Sequence, residues 1–129
     1  MKITILGAGN MGCANAADLT LKGHEVTLVK TSHSMHNETF NYVCAHNNEI
    51  TLWQEGEEQT ARIHAVTTDL SSVATADLVY ITTQTNVHEQ LIQRIAPLLR
   101  KGQVVLISPG YFSTAYFLRL CPDKDLTII

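Results

Sequence analysis

The chain has 129 residues, 45% of them hydrophobic and 16% charged, the size and balance of one globular domain. Its formal net charge of -3 leaves no electrostatic footprint for nucleic acid, and no basic run suits a membrane surface, so neither is an expected partner. The longest apolar stretches are strand-sized, too short to cross a bilayer, and the first begins too early to follow a signal peptide; the expectation is a cytoplasmic protein.

The first element is a strand, Lys2-Ile3-Thr4-Ile5-Leu6, which stops at Gly7-Ala8-Gly9-Asn10-Met11-Gly12. This is the G-x-G-x-x-G phosphate-binding fingerprint. Gly7 permits the tight turn off the strand, Gly9 lets the backbone approach a pyrophosphate, and Gly12 lets the following helix pack close to the sheet. That helix is predicted over residues 10–22, with its unpaired N–H groups and positive dipole end facing the phosphates. A glycine turn without a ligand is the alternative. Against it stand the β-rich run before the glycines and the small-residue helix after them, Cys13-Ala14-Asn15-Ala16-Ala17.

Gly23 ends the helix, and residues 24–30 read as the second strand, completing a βαβ unit. In dinucleotide folds the residue ending this strand sorts NAD from NADP: a carboxylate binds ribose hydroxyls, whereas a cation accommodates a 2′-phosphate. Here the end reads Lys30-Thr31-Ser32 and the next acid is Glu38, so NADP is favoured over NAD. Residues 31–48 form a polar loop and a short helix containing Phe40, Tyr42 and Val43. His33, His36, Cys44 and His46 lie in this stretch without the ligand spacing of a zinc site, and no metal is expected. Cys13, Cys44 and Cys121 are odd in number and in no C-x-x-C arrangement, which points to free thiols.

Residues 49–53 and 59–66 carry β-formers around Glu55-Gly56-Glu57-Glu58, the pattern of a hairpin that delivers the chain into a third sheet strand near residues 63–66. Thr68 or Asp69 caps a short helix ending near Ala74. Residues 77–82 form a buried strand leading into Thr83-Gln84-Thr85. The next helix is predicted to start with Asn86 as N-cap and Glu89 as its capping-box partner, with Leu91, Ile92, Ile95, Leu98 and Leu99 on its apolar face and Pro97 shortening its end. A fifth strand over 103–107 ends at Ser108-Pro109-Gly110, followed by a helix over 112–120 and a last strand over 126–129.

These elements predict an α/β fold, a Rossmann-type doubly wound, mainly parallel sheet in the order 3-2-1-4-5-6 with helices on both faces. Ligands in such sheets bind at the carboxyl ends of the strands. That rule gathers Gly7, Ala8, Gly9, Asn10, Met11 and Gly12 with Lys30, Thr31 and Ser32, with Thr82, Thr83, Gln84 and Asn86, and with Ser108, Pro109 and Gly110 as candidate cofactor-binding residues. No catalytic residue can be named. His88 stands in the first turn of its helix, where a solvent-facing or capping role is the ordinary one, and His64, Arg94 and Arg119 are placed away from the strand ends.

The ordered set of these motifs resembles the opine dehydrogenases of the octopine and nopaline type, and more distantly ketopantoate reductase and glycerol-3-phosphate dehydrogenase. The resemblance is carried by the glycine motif, Lys22-Gly23-His24-Glu25-Val26, Val66-Thr67-Thr68-Asp69-Leu70, Ala76-Asp77-Leu78-Val79, Ala96-Pro97-Leu98-Leu99 and Ser108-Pro109-Gly110. It implies reductive condensation of an amino acid with an α-keto acid, with hydride from a nicotinamide dinucleotide. The family's substrate-handling residues lie in a second, helical domain that residues 1–129 do not include, so the chain alone is expected to be inactive. Relatives often carry a proline after the fourth strand, where this chain reads Thr83-Gln84-Thr85. The other readings are a free-standing module that senses the nucleotide, or the cofactor domain of an enzyme acting on ketopantoate or a phosphorylated ketone. Each is compatible with a homo-oligomer.

Overall fold

The architecture follows from which faces of each strand are apolar. In the computed structural model, which describes residues 1–129, the chain runs β1 (Lys2–Leu6), α1 (Asn10–Leu21), β2 (Glu25–Val29), α2 (Asn37–Ala45), β3 (Glu49–Gln54), β4 (Glu57–Arg62) and β5 (Ala65–Thr67). A 3-10 turn at Ser71–Ala74 leads to β6 (Leu78–Ile81), and a second at Thr85–Val87 precedes α3 (His88–Ile95). Strand β7 (Val104–Ile107), α4 (Thr114–Leu120) and β8 (Thr127–Ile128) complete the fold.

Six strands form one sheet in the order β5-β2-β1-β6-β7-β8, and every pairing in it is parallel. Counted within the sheet this is the predicted 3-2-1-4-5-6 winding. Strand β1 sits between β2 and β6, with Ile5 opposite both Leu28 and Tyr80. Because both faces of a parallel sheet are covered, its residues Ile3, Thr4, Ile5 and Leu6 are all buried.

Alternation along the strands divides the interior in two. Ile3, Ile5, Val26 and Leu28 point to one side, where they meet Ala16 and Ala17 of α1 and, beyond them, Ala61 and Ile63. Leu6, Val29, Val79 and Ile81 point to the other, against Leu91, Ile92 and Ile95 of α3 and Phe117 of α4. The antiparallel hairpin β3–β4 stays outside the main sheet and packs on α1. It persists one residue beyond β4, since Ile63 N–H still donates to the Asn48 carbonyl at 2.9 Å, and this delays the third sheet strand to Ala65.

One predicted helix start differs in the structure, and at another the structure selects between the two expected side chains. The capping box at Asn86 and Glu89 is not formed: Gln84 is extended, Val87 N–H closes a 3-10 turn onto the Gln84 carbonyl at 3.2 Å, and Asn86 lies within that turn. The α-helix begins two residues later, at His88, without a side-chain cap. Before the turn at Ser71–Ala74 it is Asp69, not Thr68, that acts: its carboxylate accepts the Ser71 N–H at 2.9 Å and the Ser71 hydroxyl at 2.8 Å. Those two bonds hold the Asp69 carboxyl below the usual carboxylate range. Pro97 does shorten the helix, which ends at Ile95 while turns continue to Leu98.

Candidate functional site

The point where the strand order reverses lies between β1 and β6, and a cleft of about 510 Å³ opens there at the carboxyl ends of the strands. Its floor is the glycine turn. Gly7 has φ +123°, a conformation that L side chains rarely adopt, and a Cβ there would stand 2.7 Å from Thr82 Oγ1. Thr82 uses that hydroxyl to donate toward the Leu6 and Gly7 carbonyls at 3.2 and 3.1 Å, tying the loop after β6 to the turn after β1. A Cβ on Gly12 would stand 1.7 Å from the Gly7 carbonyl oxygen, so this glycine sets the depth at which α1 sits on the sheet.

Gly9 differs from both. Its backbone is extended (φ -82°, ψ -171°), and the nearest atom to an added Cβ is the tip of a flexible side chain, His36 Nε2 at 3.2 Å. The first helical bond of α1 runs from Cys13 N–H to the Gly9 carbonyl at 2.9 Å, so the N–H groups of Asn10, Met11 and Gly12 precede the ladder. No side chain caps them. A pyrophosphate fits this cradle: the backbone surface over Gly9 is bare of its own side chain, and the helix end presents unspent donors.

Lys30, Thr31 and Ser32 form the second wall, followed by His33, Met35 and His36, and Thr82, Thr83 and Gln84 form the third. Thr83 Oγ1 is buried without a hydrogen-bond partner. The fourth wall was not foreseen. Val87, Gln90, Leu91 and Arg94 line the cleft from α3 and the turn before it, a stripe at helical spacing. That spacing is the available signal in the sequence, where only Leu91 of the four belongs to the apolar face and Arg94 is placed away from the strand ends. Arg94 therefore stands at the cleft and not away from the strand ends, with Nη1 donating to the Thr31 carbonyl at 3.4 Å.

Lys30 also departs from a solvated lysine. It is 7% exposed, its ammonium donates to the Ser32 carbonyl, and it lies 5.9 Å from the centroid of the Phe40 ring. The chain carries 12 acidic residues, yet none lines the cleft, whose titratable and cationic members are Lys30, His33, His36 and Arg94. An overall anionic molecule thus presents a cationic recess, which suits an anionic ligand.

Other candidates fall outside these walls. Asn10 and Met11 contribute backbone at the head of α1, and Asn86 is exposed on the 3-10 turn. Ser108, Pro109 and Gly110 continue from β7, with Ser108 N–H bonded to the Ile81 carbonyl at 2.9 Å, one strand beyond the cleft wall. His88 is wholly buried, contrary to the solvent-facing expectation. Its Nε2 lies 2.9 Å from the Thr83 carbonyl, which can only accept, so Nε2 carries the proton and Nδ1 accepts from the Ser113 hydroxyl at 2.6 Å. Both nitrogens are used in fastening α4 to the loop after β6. Cys13 makes a long contact to the Ala8 carbonyl, and burial pushes its thiol up, away from thiolate chemistry. No group of three or more metal-ligating side chains is present.

A parallel 3-2-1-4-5-6 sheet with a glycine-lined cleft at its switch point defines the class: a Rossmann-type α/β domain. Within that class the chain belongs to the ketopantoate reductase PanE/ApbA family, whose pattern it matches over residues 3–111. By sequence it matches no curated protein. Among solved structures it is similar to octopine dehydrogenase in complex with NADH and agmatine, at 19% identity and a TM-score of 0.81, over 99% of this chain and 34% of that one. It is similar also to a PanE/ApbA family ketopantoate reductase from Ralstonia eutropha JMP134, at 22% identity and a TM-score of 0.74, over 99% of this chain and 40% of that one. Octopine dehydrogenase with NADH and pyruvate gives 20% identity and a TM-score of 0.77, over 99% and 34% of the two chains. At these identities the likeness is one of fold, and the chain spans about a third to two-fifths of the length of these proteins.

Proposed function

We propose that this chain is the nicotinamide-dinucleotide-binding part of an oxidoreductase, with NADP favoured over NAD. The observation that carries the reading is a bare-backbone cradle at Gly9 opening into a cleft with four cationic or titratable nitrogen side chains and no carboxylate. The pyrophosphate lies over Gly9 at the head of α1, and the adenosine ribose lies toward Lys30, Thr31 and Ser32. The loops at Thr82–Gln84 and Ser108–Gly110 flank the nicotinamide half. When bound, the reduced cofactor supplies a hydride; the chain's own residues bind and orient it.

For the parent reaction, the fold likeness to octopine dehydrogenase supports reductive condensation of an amino acid with an α-keto acid. The family match favours a second reading, reduction of a keto acid of the ketopantoate type. Both deliver hydride to a carbon derived from a keto acid. Either needs a proton donor within about 3 Å of its target; His88, whose two nitrogens are engaged inside the fold, does not offer one, and His33 and His36 follow Ser32 on the ribose and pyrophosphate side of the cleft. The isolated chain is therefore read as a binding unit without turnover.

Calorimetric titration with NADPH and NADH tests this reading, using wild type and Gly9→Val. At Gly9 the nearest atoms to an added Cβ belong to the movable His36 tip and φ is negative, so the variant is expected to fold with the pyrophosphate seat filled. Saturable binding to wild type and none to the variant is the expected result. Equal affinity in the two proteins would remove the glycine cradle from the account.

A further inference from the structure

We propose that Arg94, on α3, reads the phosphate on the 2′ position of the adenosine ribose and sets the preference for NADP. The inference rests on the dinucleotide reading above. Sequence pattern assigns this task to the side chain at the end of β2, which is Lys30. The geometry assigns Lys30 something else: it is 7% exposed, and its ammonium is held by the Ser32 carbonyl beside the Phe40 ring, where it fixes the loop that forms the ribose wall.

Arg94 meets the requirements that Lys30 does not. It is exposed, it lines the same cleft, and its one protein bond is a long one to the carbonyl of Thr31, the residue directly after Lys30. A guanidinium has five N–H donors in a planar fork, so most of its donors remain for a ligand. No carboxylate competes for it: the ion pairs of the chain involve Lys2, Lys22, His64 and Arg119, the last of these bound to Glu89. A fork-shaped cation with free donors matches a phosphate monoester through paired N–H bonds, and a ribose hydroxyl far less well. α3 thus supplies the discriminating charge from across the cleft, while β2 supplies the wall it acts against.

The test is a fluorescence titration of the whole chain with NADPH and NADH, in wild type, Arg94→Gln, Arg94→Lys and Lys30→Gln. Wild type is expected to bind NADPH more tightly. Arg94→Gln should weaken NADPH about tenfold or more and NADH by less than about threefold, with Arg94→Lys in between. Lys30→Gln should weaken both in parallel, because it loosens the shared wall. Arg94 has no such role if Arg94→Gln leaves the NADPH to NADH ratio as in wild type, or if wild type prefers NADH. Failure of wild type to bind either dinucleotide would instead overturn the cofactor reading, and this proposal with it.

Discussion

The three motif glycines occupy one turn, yet each is required for a different physical reason. Gly7 is fixed by its backbone angle and Gly12 by a carbonyl oxygen 1.7 Å from where a Cβ would stand, whereas an added Cβ at Gly9 meets only a movable imidazole. Stability and binding should therefore separate along the motif. Gly12→Ala is expected to lower unfolding free energy by about 3 kcal/mol or more, since α1 must lift off the sheet or the turn must open. Gly9→Val should cost about 1 kcal/mol or less, the difference in N-cap preference. Urea unfolding followed by circular dichroism measures both; comparable losses in the two variants would contradict this division of roles.

Elements were legible in the sequence where their signals are local. The short apolar runs of β1, β2, β6 and β7 and the glycines at 7, 9, 12 and 23 were enough to place the strands and their winding, because parallel strands joined by right-handed crossovers leave few other orders. Features that depend on what arrives from elsewhere were not legible. Arg94 meets the cleft at the Thr31 carbonyl, 63 residues away in the chain, and His88 is buried where Ser113, 25 residues away, meets it. Lys30 reads as a surface residue until Phe40 and the Ser32 carbonyl close over it.

The same distinction governs α1. Its alanines look like simple helix formers, but Ala16 and Ala17 are fully buried between the sheet and the β3–β4 hairpin, with Ala61 opposite. Ala16→Leu should destabilise by about 1–3 kcal/mol through overpacking, although leucine is an excellent helix former. Thermal unfolding of the variant checks this, and an unchanged or raised midpoint would show that the hairpin rides loosely on the helix.

At the scale of the molecule, charge and topology converge on one place. A chain of net charge -3 keeps its carboxylates off the cleft walls and brings two cationic side chains and two histidines to the sheet's switch point. A second groove, of about 390 Å³ beside Cys13, Tyr42 and His46, lies under α2 and has no comparable set: Glu49 is in its lining and no lysine or arginine is. The central claim is that the dinucleotide occupies the first cleft. Amide chemical-shift mapping by NMR during titration of the 15N-labelled chain with NADPH tests it directly. The account predicts saturable shifts at Gly7, Gly9, Met11 and Gly12, extending to Thr31, Ser32 and Thr83, with Tyr42 and His46 unmoved. Shifts centred on Tyr42 and His46, or no saturable shifts at all, would contradict it.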